Sequence, residues 1–248
     1  MWTGPRKRAL IPLLGAVLTV LLLMSCSSSQ VPQDEEESVY ISLGDSLAVG
    51  VGSSDPTELG YAPLYRDALS RESGGEVRLI QLGIPGETSA SFIGDDYPNG
   101  PSQLEDSVQA VRRNPGASVT LSLGGNDLLQ AEGSSRARAL AAYSQNLDYI
   151  LGAFSEASEP PPRITVLALY NPAPGSFTDI WTERINDEIR TVAERKGASV
   201  AAGDQVFVGN EDEYARYSQY PGDIHPTDAG YAALARAFEE ARGDDWNT

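Results

Sequence analysis

The sequence predicts an α/β fold, a five-stranded parallel sheet with helices on both faces. Three observations lead there. From residue 39 onward, short apolar runs rich in β-branched residues alternate with longer stretches whose apolar residues recur at helical spacing. The chain has 248 residues, 41% of them hydrophobic, enough for one sizeable core. It carries one cysteine and one histidine, which excludes a disulfide scaffold and a four-ligand structural zinc module.

The strands read in order as Val39–Leu43, Val77–Leu82, Ser118–Leu123, Ile164–Leu169 and Ser199–Ala202. Helical spacing marks Tyr61–Arg71, Ser102–Arg113, Ser135–Ala157 and Thr178–Lys196 between them, the last on Ile180, Ile185, Ile189 and Val192. A final helix follows Thr227, with Tyr231, Leu234, Ala235 and Phe238 as its buried stripe. No repeat appears, and Pro160–Pro162 lies between a helix and a strand as a loop. In a doubly wound sheet of this kind the functional loops gather at the carboxyl ends of the strands.

Charge narrows the partners. With 35 acidic and 18 basic side chains the formal net charge is −17, and a nucleic-acid partner, which requires clustered Lys and Arg, is not expected. At the amino terminus Arg6, Lys7 and Arg8 precede an apolar run from Ala9 to Met24, short for a spanning helix and closer to a signal-peptide core. The run ends in Leu23-Met24-Ser25-Cys26, which resembles a bacterial lipobox. This resemblance implies a lipoprotein signal peptide over residues 1–25, lipidation of Cys26 and an extracytoplasmic protein held to a membrane. Residues 26–37 then form a polar tether and residues 38–248 the folded domain. Removal of residues 1–25 takes away three positive charges and moves the net charge from −17 to −20.

Chemistry concentrates at the strand ends. The first strand runs into Gly44-Asp45-Ser46-Leu47, where a serine on a tight turn opening a helix is held toward the crevice. Taken alone, Gly-Asp-Ser reads more readily as a helix cap, with Asp45 or Ser46 as the capping residue. The second strand is followed by Gly83-Ile84-Pro85-Gly86-Glu87-Thr88-Ser89 and the third by Gly124-Gly125-Asn126-Asp127. Glycine lets a backbone N–H approach a ligand and asparagine donates without carrying charge, so both blocks suit an oxyanion hole, although each is also an ordinary turn sequence. The single histidine lies in Gly222-Asp223-Ile224-His225-Pro226-Thr227-Asp228, the loop before the final helix. Any histidine-dependent chemistry must use it.

These blocks, in this order from Val39 to about Ala241, resemble the SGNH hydrolases, the GDSL-type esterases and lipases. The resemblance implies a flavodoxin-like three-layer α/β/α sandwich and ester hydrolysis through an acyl-enzyme with no cofactor and no metal. It implies Ser46 as nucleophile, His225 as general base and then acid, and the Ser46 N–H, Gly86 N–H and Asn126 amide as oxyanion donors. One position departs from the family, whose acid stands three residues before the histidine; here that residue is Gly222, and Asp223 stands two before. Asp223 reaches the imidazole if the chain there is extended, a backbone carbonyl serves if it is not, and Asp228 is more suited to opening the final helix. The substrate expected is a small-molecule ester or lipid, in the manner of a carboxylesterase or lysophospholipase. The alternatives are a carbohydrate O-acetylesterase, an acyltransferase and a lipid-anchored binding protein. The run Tyr170–Gly175 is expected to line the acyl or leaving-group side.

Overall fold

The strands of the computed structural model are β1 (Ser38–Gly44), β2 (Val77–Gln81), β3 (Ser118–Ser122), β4 (Arg163–Leu167) and β5 (Ser199–Ala201), each within about two residues of its predicted span. The structure describes residues 1–4, 38–94 and 102–242. The signal peptide, Cys26 and the tether read from the sequence lie outside the described residues. The chain divides into two units, Met1–Glu36 and Glu37–Thr248, and the sheet with its helices belongs to the second.

The strands pair in the order β2-β1-β3-β4-β5, every pair parallel. This is the flavodoxin-like order, with its switch point between β1 and β3, so the crevice lies beyond Gly44 and Ser122. The helices are α1 (Ser46–Val49), α2 (Pro56–Leu59), α3 (Tyr61–Ser73), α4 (Ser89–Ile93), α5 (Gln103–Arg113), α6 (Gly125–Leu129), α7 (Ser135–Ser155), α8 (Thr178–Lys196), α9 (Gly203–Phe207), α10 (Glu211–Tyr214) and α11 (Asp228–Ala241). α3 packs with α11, while α7 packs with α5 and α8, giving the helical layers of a three-layer sandwich.

Alternation along the strands builds the core. On β1, Tyr40 meets Tyr65 of α3 edge-on at 5.1 Å, and Phe238 of α11 stacks on Tyr61 at 4.8 Å. The neighbouring Ile41 and Leu43, with Val119 and Leu121 of β3, are buried in the same cluster as Tyr143, Leu147, Ile150 and Leu151 of α7. On α8 the buried stripe is Ile185, Ile189 and Val192, but Ile180 is exposed. Five residues advance a helix by about 500°, which leaves Ile180 well off the stripe that starts at Ile185.

Candidate active site

Ser46 opens α1 directly after β1, and the turn between them is forced by packing. Gly44 has φ +119°, and a Cβ there would stand 1.8 Å from the Ser122 carbonyl oxygen of β3. Asp45 caps α1, its carboxylate accepting the Leu47 N–H at 3.0 Å and the Ser122 hydroxyl at 3.2 Å. Burial pushes the Asp45 carboxyl up to about 7, against the lowering effect of those two donors. The Ser46 N–H, in the first turn of α1, has no intrahelical acceptor and is available to a ligand.

The loop before α11 brings the histidine to this serine. His225 Nε2 stands 3.0 Å from Ser46 Oγ, and its Nδ1 stands 2.8 Å from Asp223 Oδ1. A turn at Pro221-Gly222 ends before Asp223, and Asp223 Oδ1 also accepts the His225 backbone N–H at 3.1 Å. The two-residue spacing therefore brings carboxylate and imidazole together. Burial raises the Asp223 carboxyl, but hydrogen bonds from Arg216 and His225 outweigh it and hold the group below the usual carboxylate range. The loop itself is pinned by the Tyr170 hydroxyl donating to the Ile224 carbonyl at 2.5 Å, and by backbone bonds from Arg216 N–H to His225 and from Thr227 N–H to Tyr214.

The other two blocks meet at the same edge. Asn126, in α6 after β3, donates one amide hydrogen to the Glu87 carbonyl at 2.9 Å, which fixes the amide and leaves its second hydrogen for the crevice. Gly86 has φ +85° in the turn before α4. Asp127 ties the blocks together by accepting the Ser89 N–H at 2.9 Å and the Ser89 hydroxyl at 2.5 Å. Glu87, buried, accepts from Ser91 and from Gln103 Nε2, and Gln103 bonds both the N–H and the carbonyl of Gly44. Burial raises the carboxyls of both Glu87 and Asp127.

An apolar pocket opens beside Ser46 and Asn126. Its walls include Leu128, Leu129, Leu169, Phe177, Trp181, Ile185 and Ile224. Of the run expected to line it, Tyr170 and Pro172 do so. Two polar side chains on the wall are already engaged: the Tyr170 hydroxyl on Ile224 and the Thr178 hydroxyl on Asn171 Oδ1 at 2.6 Å.

Three features escaped the sequence reading. Arg216 donates to Asp223 Oδ2, Gln103 braces the turn at Gly44, and Asp228 holds the loop after α1 by accepting the Ser54 N–H at 2.7 Å and the Ser54 hydroxyl at 2.6 Å. Asp228 does open α11 after the Thr227 cap, as expected, but it also makes this long-range contact. No local pattern signals bonds between residues 174 apart in sequence.

The sequence matches the model of the GDSL-like Lipase/Acylhydrolase family over residues 42–233, more than half of the chain. The spore germination lipase LipC of Bacillus licheniformis is 27% identical over 217 residues, covering 82% of this chain and 95% of that protein. Among solved structures, the lipase Lip_vut3 from a goat rumen metagenome superposes with a TM-score of 0.67 at 24% identity, covering 82% of this chain and 97% of that one. The acetylxylan esterase Axe2 of Geobacillus stearothermophilus gives 0.62 at 18%, covering 85% and 97%. At those identities the two structures share the fold. The family match takes in Ser46, Gly86, Asn126 and His225, and the chain belongs to the GDSL-like lipase/acylhydrolase family of ester hydrolases.

Proposed function

We propose that the protein is an extracytoplasmic serine ester hydrolase that cleaves carboxylic esters of apolar acyl chains through an acyl-enzyme. The observation that carries this reading is the file Asp223–His225–Ser46, hydrogen-bonded at 2.8 and 3.0 Å, beside an apolar pocket. His225 Nε2 takes the Ser46 proton as Oγ attacks the ester carbonyl, and Asp223 holds Nδ1–H and stabilises the imidazolium. The developing oxyanion falls to the N–H of Ser46, the N–H of Gly86 and the free amide hydrogen of Asn126. The imidazolium protonates the leaving alcohol. The same imidazole then takes a proton from water, which attacks the acyl-enzyme and releases the acid and Ser46.

The pocket favours an apolar acyl chain over an acetylated sugar. The wall is mostly apolar side chains. Of its hydroxyls besides that of Ser46, those of Tyr170 and Thr178 are already bonded within the protein, which leaves Thr182 as a single hydroxyl for a sugar that needs several polar partners. Initial rates on p-nitrophenyl acetate, butyrate, hexanoate and octanoate, run beside acetylated xylo-oligosaccharide, should give a higher kcat/KM for butyrate or hexanoate than for either acetyl substrate. Preference for the acetylated sugar would move the assignment to carbohydrate deacetylation.

The lipobox-like Leu23–Cys26 run supports attachment to a membrane through acylated Cys26. One acyl chain binds membranes only marginally, so stable attachment needs the several chains of a bacterial lipoprotein. The native protein should enter the detergent phase on phase separation, and Cys26→Ser should move it to the aqueous phase or leave the precursor uncut. A mature amino terminus without lipid mass would refute this.

A further inference from the structure

An acid placed two residues from its histidine has little chain with which to fix its own orientation. Asp223 Oδ1 is shared between Nδ1 and the backbone N–H of the one residue His225, at 2.8 and 3.1 Å. Nothing in that pair prevents rotation about Cβ–Cγ, a broad two-fold torsion, and the side chain is 27% exposed to water. Rotation would give Nδ1 a poorly aligned partner.

Arg216 occupies the other oxygen. Its Nε donates to Asp223 Oδ2 at 2.7 Å, and its Nη1 donates to the Gly52 carbonyl at 3.1 Å. The guanidinium lies over the Tyr220 ring, 4.8 Å from its centroid, so its plane is set from a third side. The Arg216 backbone N–H donates to the His225 carbonyl at 2.9 Å, next to the antiparallel bridge between Ala215 and Pro226. One residue thus holds the acid, the backbone of the histidine and the loop that follows the nucleophile helix. That loop lies close to the histidine, since a Cβ on Gly52 would stand 2.7 Å from His225 Cβ.

We propose that Arg216 is a positioning residue for the Ser46–His225–Asp223 reaction, locking the Asp223 carboxylate against His225 Nδ1 and joining it to the Ser46 side of the site through Gly52. This role rests on the serine-hydrolase function proposed for the site. The ion pair is partly exposed, with side chains 32% and 27% accessible, so its contribution to stability is small and its effect is on geometry.

Steady-state kinetics on p-nitrophenyl butyrate, with thermal unfolding of each variant, tests this. Arg216→Ala should lower kcat by about tenfold to 10²-fold, the cost of a misplaced reacting group. KM should change by less than about twofold, because the group does not touch the ground-state substrate. Arg216→Lys, which restores the charge without the planar fork, should recover part of the loss. Methylguanidinium added to Arg216→Ala should raise kcat with saturation. In an Asp223→Ala background the Arg216→Ala change should cost much less in kcat than in the wild type, since most of the role passes through Asp223 and only the hold on Gly52 remains to be lost.

Full kcat in Arg216→Ala, or losses from Arg216→Ala and Asp223→Ala that multiply, would overturn the proposal. So would a loss that tracks a lowered unfolding temperature and responds to neither Lys nor methylguanidinium. Turnover that survives Ser46→Ala would overturn the nucleophile assignment and this role with it. Full kcat in Arg216→Ala while Ser46→Ala is inactive overturns the role of Arg216 alone.

Discussion

The Asp223 carboxylate reaches the imidazole two residues on while also accepting that residue's backbone N–H. Here Gly222, with φ +99°, finishes the preceding turn, and Asp223 Oδ1 then meets the His225 backbone N–H at 3.1 Å and Nδ1 at 2.8 Å. The residue types and their order brought Ser46, Asn126 and His225 to one crevice, but they left open whether Asp223 or a backbone carbonyl meets Nδ1. The partners that orient them were not legible, because Arg216, Gln103 and Asp228 act through side chains whose long reach follows no sequence period. The role given to Asp223 has a direct consequence. Asp223→Asn should lower kcat by orders of magnitude with the fold retained, since an amide no longer stabilises the imidazolium and can present Nδ1 with a donor. Near-normal kcat, measured alongside an unchanged circular dichroism spectrum, would assign that work to a backbone carbonyl.

Among the elements, strands and long helices were legible because each carries enough residues to show its period; the short α1, α2, α4, α6, α9 and α10 do not. Their positions come from capping and from tertiary contacts. The Thr88 side chain forms a reciprocal cap with Ser91 at α4, and Asp45 caps α1 from a buried site. Ile180 shows the converse error, an apolar residue counted into a stripe whose phase it does not share. The loop after α1 is held at several points: Tyr231 donates its hydroxyl to the Val51 carbonyl at 2.6 Å, Arg216 donates to Gly52, and Asp228 accepts from Ser54. Gly52 has φ +96° and faces His225 Cβ. Gly52→Ala should therefore push the histidine away from Ser46 and lower kcat by about 10²-fold, more than its stability cost accounts for. Activity equal to wild type would show that the loop and the histidine do not depend on each other.

For the whole molecule, the excess of acid and the burial of particular acids act in one direction. A buried run of hydroxyls leads from Ser42 through Tyr61 to Ser122 and ends on Asp45. Asp45, raised to about 7, with Glu87 and Asp127 also raised, binds its proton more tightly in the folded state than in the unfolded chain. Between the unfolded carboxylate range near 4 and about 7 the native state then holds more protons, so stability falls as pH rises through that window and levels off above it. Relief of the −17 net charge on acidification has the same sign. Asp148 and Asp223, both lowered, oppose it only at the acid end. Urea midpoints should therefore be higher at pH 5.5 than at pH 7.5, and Asp45→Asn should flatten the difference; a midpoint that falls on acidification in this range would contradict the assignment. The alternation of strand and helix patterns made the doubly wound sheet legible and the family resemblance its three layers, but this buried network arises only when β1 and β3 lie side by side.

Every step of the proposed reaction depends on Ser46 being the nucleophile activated by His225. The most direct test is intact-mass measurement with peptide mapping after treatment of the folded protein with diethyl p-nitrophenyl phosphate. The expected result is one diethylphosphoryl group per chain on Ser46, equimolar release of p-nitrophenol, parallel loss of esterase activity, and no adduct in Ser46→Ala. Esterase activity that persists in the treated protein, or a single adduct on a different residue, would contradict it.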